Sequence, residues 1–301
     1  MILLRLNGEP GCGVPKQPEG VRKKFFMFFL RMKRPVFLFI LAAVFCLTLP
    51  KDARAKRYQV SARAAIFSNS TKVVRYYGKN VHKQVLPAST TKVMTALLVM
   101  ERLPLDKVVT VSKRATRAQP SKIYAKPGEK FKVRDLLYAI LLKSANDASI
   151  VLAEAVAGSE AKFVQLMNRR AREINAHHTH FANSNGLPTK ARQYTTPYDM
   201  YLIFRRAIRH KFFRDAIRLK YKTIYSTAGR KIKLRSHNKI LFFDGWKRKL
   251  YGKTGYTRAA KACFVGYLDK NGDTCIIAVF GCTHRWSDIK YIVSKYGGID
   301  I

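Results

Sequence analysis

From residue 56 onward, the hydrophobic and polar positions follow successive patterns along the chain. Two short and mainly apolar segments, 62–67 and 72–77, flank the turn-forming run Ser68-Asn69-Ser70-Thr71, which predicts a β-hairpin. In the middle of the chain, apolar residues recur three and four positions apart, which predicts amphipathic helices. These helices are predicted over residues 91–103, 133–142, 148–157 and 162–174.

Strand-like segments return toward the end of the chain. One runs from about residue 232 through Lys253, and two more, 262–268 and 274–280, flank an Asn-Gly pair typical of two-residue hairpin turns. A final helix is predicted over 288–295. Strands on both sides of a helical middle predict an α/β (α+β) fold, in which an antiparallel sheet built from both chain ends carries an inserted helical subdomain.

Residues 31–55 have the pattern of a secretory signal. Basic residues come first, an apolar run follows over 36–49, and Ala53-Arg54-Ala55 matches a small-x-small cleavage site. The run is shorter than the roughly 20 residues of a membrane-spanning helix, and an uncleaved anchor is the alternative. We expect an N-terminal extension and signal peptide over 1–55, one domain over 56–301, and export to the periplasm or the outer face of the cytoplasmic membrane.

The chain is strongly basic, with 58 Lys and Arg against 18 Asp and Glu and a net charge of +40. Removal of residues 1–55 takes away 10 basic and 3 acidic residues, which leaves 48 against 15 and a net charge of +33. Such a surface favours anionic partners. Because export excludes nucleic acid as a natural partner, we expect anionic envelope polymers or a membrane surface instead.

Three cysteines, Cys263, Cys275 and Cys282, follow residue 55, and an odd number without a C-x-x-C pair indicates neither a zinc site nor a fully paired disulfide framework. The predicted hairpin places Cys275 opposite Leu268. It places Cys263 opposite Phe280, on the other face of the sheet. Cys263 and Cys282 share a face only as diagonal neighbours, about 7–8 Å apart, which is too far for an unstrained disulfide. We expect three free thiols.

A serine and a lysine lie one helical turn apart in Ser89-Thr90-Thr91-Lys92. Positions i and i+3 share a helix face, so the Lys92 amine can reach the Ser89 hydroxyl. Pro87 fits a serine at a helix start, where free N–H groups favour developing negative charge. A lysine that is desolvated there can have a pKa low enough for it to act as a base. The motif alone is weak, because further Ser-x-x-Lys matches begin at Ser159, Ser236 and Ser287.

Two further segments offer polar groups of the right kind. Ser144-Ala145-Asn146 lies between two predicted helices and supplies a hydroxyl that can relay a proton and an amide that can bond in both directions. Helix capping is the alternative role for this segment. Lys253-Thr254-Gly255 supplies a charge, a hydroxyl and a glycine that lets a substrate approach a strand edge. An edge strand with an ordinary lysine is the alternative there.

Together, and in this order, the three segments resemble the penicillin-binding and serine β-lactamase superfamily. The chain is most similar to the low-molecular-mass D-alanyl-D-alanine carboxypeptidases, the S11 serine peptidases, over nearly all of 56–301. The resemblance implies a β-lactamase/transpeptidase-like fold, an acyl-enzyme mechanism, and neither a cofactor nor a metal. The stretches that carry it are LPASTTKVMTAL (86–97), LLKSANDAS (141–149), MNRRAREI (167–174), THFANSNGLP (179–188), TTPYDM (195–200) and YGKTGYT (251–257).

The resemblance implies a role for the residues around the nucleophile. Ser89 would attack the carbonyl between the two D-alanines of a peptidoglycan stem peptide, with Lys92 as its general base. The backbone N–H groups of Ser89 and Tyr256 would form the oxyanion hole. β-Lactam antibiotics mimic the dipeptide and would acylate the same serine.

The remaining motif residues would handle the substrate. Ser144 would pass a proton to the departing D-alanine, and Asn146 would hold the substrate amide and Lys92. Lys253 and Thr254 would receive the terminal carboxylate, while Gly255 lets the substrate backbone come close. Residues 56–301 would then form the catalytic domain.

Some features depart from the family. Ser236-His237-Asn238 stands where relatives often have Asn-x-Asn, and some relatives have a carboxylate-binding arginine in place of His237. We expect the β-rich C-terminal domain and anchoring helix of many relatives to be missing. A serine β-lactamase on the same fold is one alternative, disfavoured because Ser-Ala-Asn replaces Ser-Asp-Asn. A catalytically inactive, basic envelope-binding protein is another, disfavoured by the intact motifs.

Two other signals are weaker. His177, His178 and His180 lack carboxylates or cysteines at ligand spacing nearby, so we interpret them as a solvated loop and not as a metal site. The basic segment 202–223 fits a polyanion-binding face and an ordinary helix equally well.

Overall fold

The structure, a computed structural model, describes residues 58–301. The predicted signal peptide and its cleavage site after Ala55 lie outside the described residues. No helix in 58–301 has both the length and the apolar character needed to cross a membrane.

The strands of the described part form one main sheet and two separate pairs, all antiparallel. They are β1 (Ala64–Asn69), β2 (Val74–Lys79), β3 (Val108–Thr110), β4 (Lys130–Lys132), β5 (Tyr221–Tyr225), β6 (Lys231–Arg235), β7 (Tyr251–Thr257), β8 (Lys261–Lys270) and β9 (Asp273–Cys282). The main sheet has the order β2-β1-β9-β8-β7, and the pairs are β3-β4 and β5-β6. Because β1 pairs with β9, the main sheet joins segments from both sides of the helical region, which confirms the predicted architecture.

Most of the helices lie between β2 and β7 and form the inserted subdomain. They are α1 (Lys92–Arg102), α2 (Val133–Tyr138), α3 (Asn146–Ala157), α4 (Glu160–Glu173), α5 (Pro197–Ala207) and α6 (Lys211–Arg218), with α7 (Arg285–Gly297) after β9. Side-chain caps fix two helix starts. Ser159 Oγ accepts the N–H of Lys162 at 3.2 Å at the start of α4, and Thr196 Oγ1 accepts the N–H of Asp199 at 3.0 Å at the start of α5.

Two predicted elements differ from the structure. The predicted helix over 133–142 continues beyond α2 as a π-helix, Ala139–Lys143, which ends at Ser144 in the left-handed conformation (φ 61°). The single strand predicted from about 232 through Lys253 was wrong, because β6 and β7 belong to different sheets. The segment between them contains a short 3-10 helix, Lys239–Phe242, whose buried Ile240 and Leu241 continue the apolar pattern without forming a strand.

The main sheet separates two apolar clusters. On one face, Ile66, Val265 and Ala278 pack with residues of the helical subdomain. On the other face, Phe67 and Val279 pack with apolar residues of α7. Every residue of β1 is buried, as expected for a strand that is covered on both faces.

A bulge in the β8-β9 pair changes the predicted positions of the cysteines. Cys275 lies opposite Leu268, as predicted. The register then shifts between Ala262 and Phe264, so Cys263 lies at the bulge with no directly opposite residue on β9, and the predicted pairing with Phe280 is wrong. Cys263 belongs to the cluster on the helical face and Cys282 to the cluster beneath α7, so the predicted shared face is also wrong. All three cysteines are free and buried.

Candidate active site

The predicted nucleophile lies in a tight turn at the start of α1. Ser89 belongs to a 3-10 helix, Ala88–Thr91, and the helix α1 begins at Lys92. The carbonyl of Pro87 accepts hydrogen bonds from the N–H and the hydroxyl of Thr90, at 3.2 and 2.7 Å, which holds the turn in place. Lys92 Nζ donates to Ser89 Oγ at 3.1 Å, so the predicted pair is in direct contact.

The Lys92 amine is buried with only neutral partners. Its side chain is 0% exposed, and Nζ donates to Asn146 Oδ1 and to the carbonyl of Asn185, both at 2.7 Å. Burial holds the pKa of Lys92 well below its ordinary value, and the charge of Lys253 lowers it further, although Asp147 acts in the opposite direction. A neutral amine beside a serine hydroxyl can accept its proton.

Ser144 and Lys253 form a second lysine–serine pair. The left-handed turn at Ser144 ends the π-helix, and Ser144 Oγ accepts a hydrogen bond from Lys253 Nζ at 2.9 Å. Lys253 lies on β7, is 1% exposed, and also donates to the carbonyl of Thr254 at 2.8 Å. Burial, with a smaller contribution from the charge of Arg285, lowers the pKa of Lys253 to about 7.

Asn146 connects the nucleophile to the neighbouring loop. Its side-chain oxygen accepts from Lys92, and its amide nitrogen donates to the carbonyl of Gln119 at 2.8 Å. The N-cap of α3 is Ala145, which makes no side-chain capping bond. The hydroxyl of Ser144 and the amide of Asn146 therefore contact the two lysines and do not cap the helix.

The strand β7 is an edge strand of the main sheet, and it runs beside the nucleophile. A Cβ atom at Gly255 would lie 3.1 Å from the backbone nitrogen of Ser89 and 3.2 Å from the carbonyl oxygen of Pro87. Glycine therefore allows the strand to approach the turn closely. Thr254 is mostly buried at this edge, while the Tyr256 side chain is 67% exposed at the mouth of the site.

These residues line one cleft with a volume of about 290 Å³. Most of the predicted site residues border it, and Lys92 and Lys253 lie buried behind its wall. No group of His, Cys, Asp and Glu in the described residues could hold a metal ion. The residues that line the cleft are Ser89, Pro120, Ser121, Ser144, Asn146, Leu187, His237, Thr254, Gly255, Tyr256 and Arg285.

The segment around Asn185 also contributes to the site, a role that was not predicted from the sequence. It lies within 179–188, one of the stretches that carry the family resemblance. Its carbonyl accepts from Lys92, and the preceding carbonyl of Ser184 accepts from Thr95 Oγ1 at 2.6 Å. Ser184 is held in turn by the carboxylate of Glu160, which accepts from its N–H and its hydroxyl. Gly186 has a positive φ of 81° and packs against the nucleophile turn. A backbone carbonyl leaves no side-chain signal in a sequence.

Arg285 is the second contributor that the sequence did not reveal. It lies at the start of α7, and its Nη1 donates to the carbonyls of Gly255 and Cys263, at 3.2 and 2.8 Å. The fold brings Arg285 into the lining of the cleft, together with Thr254 and Gly255. A lone arginine far along the chain from the three motifs gives no pattern that predicts this position.

The other sequence candidates lie elsewhere. Ser159 caps α4, Ser236 Oγ accepts from the N–H of Asn238 at 3.2 Å, and Ser287 lies on the exposed side of α7. The predicted loop histidines are exposed, as expected for solvated side chains, and they are His177, His178 and His180.

The family model described as D-alanyl-D-alanine carboxypeptidase, Peptidase S11, matches residues 51–284. The chain belongs to this family. The D-alanyl-D-alanine carboxypeptidase DacF of Bacillus subtilis is 31% identical over 262 residues, which covers 81% of this chain and 65% of that protein. The DacB2 carboxypeptidase of Mycobacterium tuberculosis is 31% identical over 194 residues, which covers 64% of this chain and also 65% of its relative. The chain thus spans just under two thirds of the length of these S11 relatives.

Solved structures agree with the S11 assignment. A mutant of the Streptomyces K15 DD-transpeptidase superposes with a TM-score of 0.73 at 28% identity, over 81% of this chain and 100% of that chain. A D-alanyl-D-alanine carboxypeptidase from Mycobacterium tuberculosis superposes with a TM-score of 0.74 at 27% identity, over 80% and 92%. These similarities confirm the predicted β-lactamase/transpeptidase-like fold.

Proposed function

We propose that this S11 protein is a serine D-alanyl-D-alanine carboxypeptidase that removes the terminal D-alanine from peptidoglycan stem peptides. The contact between the buried Lys92 amine and Ser89 Oγ carries the proposal, because it pairs a nucleophile with a base of lowered pKa. The second pair, Ser144 and Lys253, lies in the same site. The family supplies the substrate class.

In the first step, Ser89 Oγ attacks the carbonyl carbon between the two D-alanines while Lys92 takes the hydroxyl proton. The negative charge that develops on the carbonyl oxygen is stabilised by the backbone N–H groups of Ser89 and Tyr256. The close approach of β7 at Gly255 supports this assignment, because it brings the two backbone segments together.

Collapse of the intermediate breaks the C–N bond and leaves the acyl group on Ser89. Ser144 passes a proton to the departing amine, and Asn146 orients the substrate amide and Lys92. Lys253 and Thr254 receive the carboxylate of the leaving D-alanine, and Arg285 adds positive charge at that end of the cleft. Water then hydrolyses the ester, which releases the shortened peptide and restores the serine.

Mass spectrometry of the protein incubated with penicillin tests the assignment. We expect one covalent adduct, on the peptide that contains Ser89, because a β-lactam carbonyl stands in for the scissile amide. The Ser89→Ala variant should form none, whereas Ser159→Ala, which alters the other helix-start Ser-x-x-Lys, should form it normally. An adduct on another serine would contradict the proposal. Rapid release of the penicilloyl group would favour the alternative of a β-lactamase.

We also propose export, with cleavage after Ala55, on the basis of the sequence pattern alone. N-terminal sequencing of the exported protein should find Lys56 first. A mature protein that retains the apolar run would instead be an anchored enzyme.

We further propose that the basic surface attracts anionic envelope polymers. Support comes from a cleft of about 560 Å³ whose lining includes Arg205, Arg206, Arg209 and Arg214. Glu173, its one lining carboxylate, already pairs with an arginine outside the lining. If charge attraction holds the protein to the envelope, high salt should release it. Retention at high salt would contradict this part of the proposal.

A further inference from the structure

A second cavity adjoins the proposed catalytic cleft. It has a volume of about 530 Å³ and shares His237 with the cleft. The imidazole of His237 is exposed and lies on the border between the two spaces. The lining residues are Arg235, Ser236, His237, Lys239, Phe242 and Phe243.

The backbone places this cavity beyond the leaving-group end of the cleft. The N–H of His237 donates to the carbonyl of Leu142 at 2.9 Å, within the π-helix that ends at Ser144. Ser144 in turn contacts Lys253. These are the two residues to which we assign the departing amine and its carboxylate. A group that extends from the leaving residue past His237 would therefore enter the second cavity.

The residues that line the second cavity favour a negatively charged ligand. Arg235 and Lys239 contribute two cations, and no Asp or Glu is among the lining residues. The Arg235 guanidinium lies over the ring of Phe242 at 4.6 Å, a contact that helps to fix its position. Phe243 is 43% exposed and offers an apolar wall. Two cations beside aromatic rings suit a carboxylate on a short aliphatic stem.

We propose that this cavity, lined by Arg235 and Lys239, is a leaving-group subsite for a second carboxylate on the amino acid that the enzyme releases. The inference rests on the proposed carboxypeptidase function and deepens it. Substrates whose terminal D-residue has an acidic side chain would gain a contact that terminal D-alanine lacks. The reaction itself is unchanged: the C–N bond breaks as Ser89 is acylated, the acidic residue departs as the amine with a proton from Ser144, and water then hydrolyses the ester on Ser89.

Three peptides with the same acyl part, ending in D-Ala-D-Ala, D-Ala-D-Gln and D-Ala-D-Glu, test the subsite. The informative quantity is the ratio of kcat/KM for the D-Glu peptide to kcat/KM for the D-Gln peptide, because these two differ only in charge. We expect a ratio of about tenfold in the native protein, equivalent to one well-placed charge contact. In the double variant Arg235→Gln/Lys239→Gln the ratio should fall close to one.

The matched control is Lys231→Gln/Lys233→Gln, which removes the same charge from exposed positions of β6 outside the cavity. Its ratio should stay at the native value. A native ratio of one or below, or an equal fall in both double variants, would overturn the subsite and leave carboxypeptidase activity standing. If the D-Ala-D-Ala peptide itself is not hydrolysed, the proposed function fails, and the subsite fails with it.

Discussion

At the scale of single residues, the site depends on two lysines that have almost no contact with water. Lys92 has three oxygen partners within 3.1 Å and no carboxylate among them. Lys253 has a hydroxyl and a backbone carbonyl. Neutral acceptors compensate a buried ammonium only partly, so both pKa values are lowered. The chemistry and the stability of the protein should therefore depend on pH through these two groups.

The first prediction concerns Lys92 as a base. A protonated amine cannot accept the Ser89 proton, so the rate of acylation by penicillin should fall as the pH drops below the pKa of Lys92. Lys92→Arg keeps the charge at all accessible pH values and should slow acylation by roughly 10²–10⁴-fold. Lys162→Arg, on the exposed Ser159 motif, is the control. Normal acylation by Lys92→Arg would show that another group removes the proton.

The second prediction concerns the cost of burying Lys253. The pKa of Lys253 is about 7 in the folded protein and near 10.5 in the unfolded chain. Below pH 7 the folded protein therefore buries a charged ammonium, which lowers the free energy of unfolding because the unfolded chain keeps the same charge in water. This cost disappears as the pH rises from about 7 toward 10. Lys253→Met should therefore stabilise the protein at pH 6, by roughly 1–4 kcal/mol, while abolishing activity.

Urea unfolding at pH 6 and pH 9.5 measures this effect. The stabilisation by Lys253→Met should shrink at the higher pH, because the native lysine is then mostly neutral. The exposed Lys231→Met should show no such dependence. An equal effect of Lys253→Met at both pH values would contradict the low pKa.

The third prediction separates two glycines that share a left-handed conformation. Gly186 has a φ of 81°, and a Cβ there would lie 1.8 Å from the carbonyl oxygen of Ala88; Gly158 has a φ of 76° and open space around it. Gly158→Ala should cost about 1 kcal/mol of unfolding free energy, through backbone strain alone. Gly186→Ala should cost more than about 3 kcal/mol and slow acylation, because it displaces the neighbouring Asn185 carbonyl from Lys92. Urea unfolding and penicillin acylation give both readouts, and equal costs would contradict the predicted close approach.

At the scale of elements, the sequence predicts the helices and strands whose buried faces show a regular spacing of apolar residues. Val93, Leu97 and Leu98 are buried on α1, and this helix begins and ends within one residue of the predicted bounds. The π-helix before Ser144 was not predictable, because its residues 139–142 are all apolar and therefore carry no periodicity that distinguishes one helical geometry from another. The single strand predicted from about 232 through 253 was wrong because buried loop residues such as Ile240 cannot be distinguished from strand residues in a sequence.

The β8-β9 bulge leads to a prediction about the cysteines. The bulge directs Cys263 and Cys282 to opposite faces of the sheet, which leaves each thiol without a partner. Denatured, unreduced protein from which residues 1–55 have been removed, and with them Cys12 and Cys46, should therefore contain three free thiols, counted by a chromogenic thiol reagent. Burial raises the pKa of Cys263 and of Cys275 to about 11, so both should react slowly until the protein unfolds. A count of one would mean that a disulfide joins two of these cysteines and that no bulge separates Cys263 from Cys282.

At the scale of the whole molecule, the motif serines and lysines were predictable because their three segments, taken together and in order, resemble the S11 family. Ser89 and Lys92 are three positions apart and their side chains are in contact, but the same spacing recurs at Ser159, so the order of the three motifs was needed to select this pair. Arg285 and the Asn185 carbonyl reach the cleft only through the packing of distant elements. Such residues have no motif of their own, so only the three-dimensional arrangement reveals them.

The pairing of β1 with β9 sets the order of events when the chain is made. Ala64 lies opposite Phe280, 216 positions later (280 minus 64), so β1 is synthesised long before its central partner exists. A hairpin of β1 and β2 alone is marginally stable in water, and its apolar residues stay accessible to unwanted contacts during this interval. Closing so long a loop also slows folding. Ser89 and Lys253 both lie within that loop, and β7 is joined to β1 in the main sheet only through β8 and β9, so a chain that ends before β9 lacks the sheet that connects the two parts of the site.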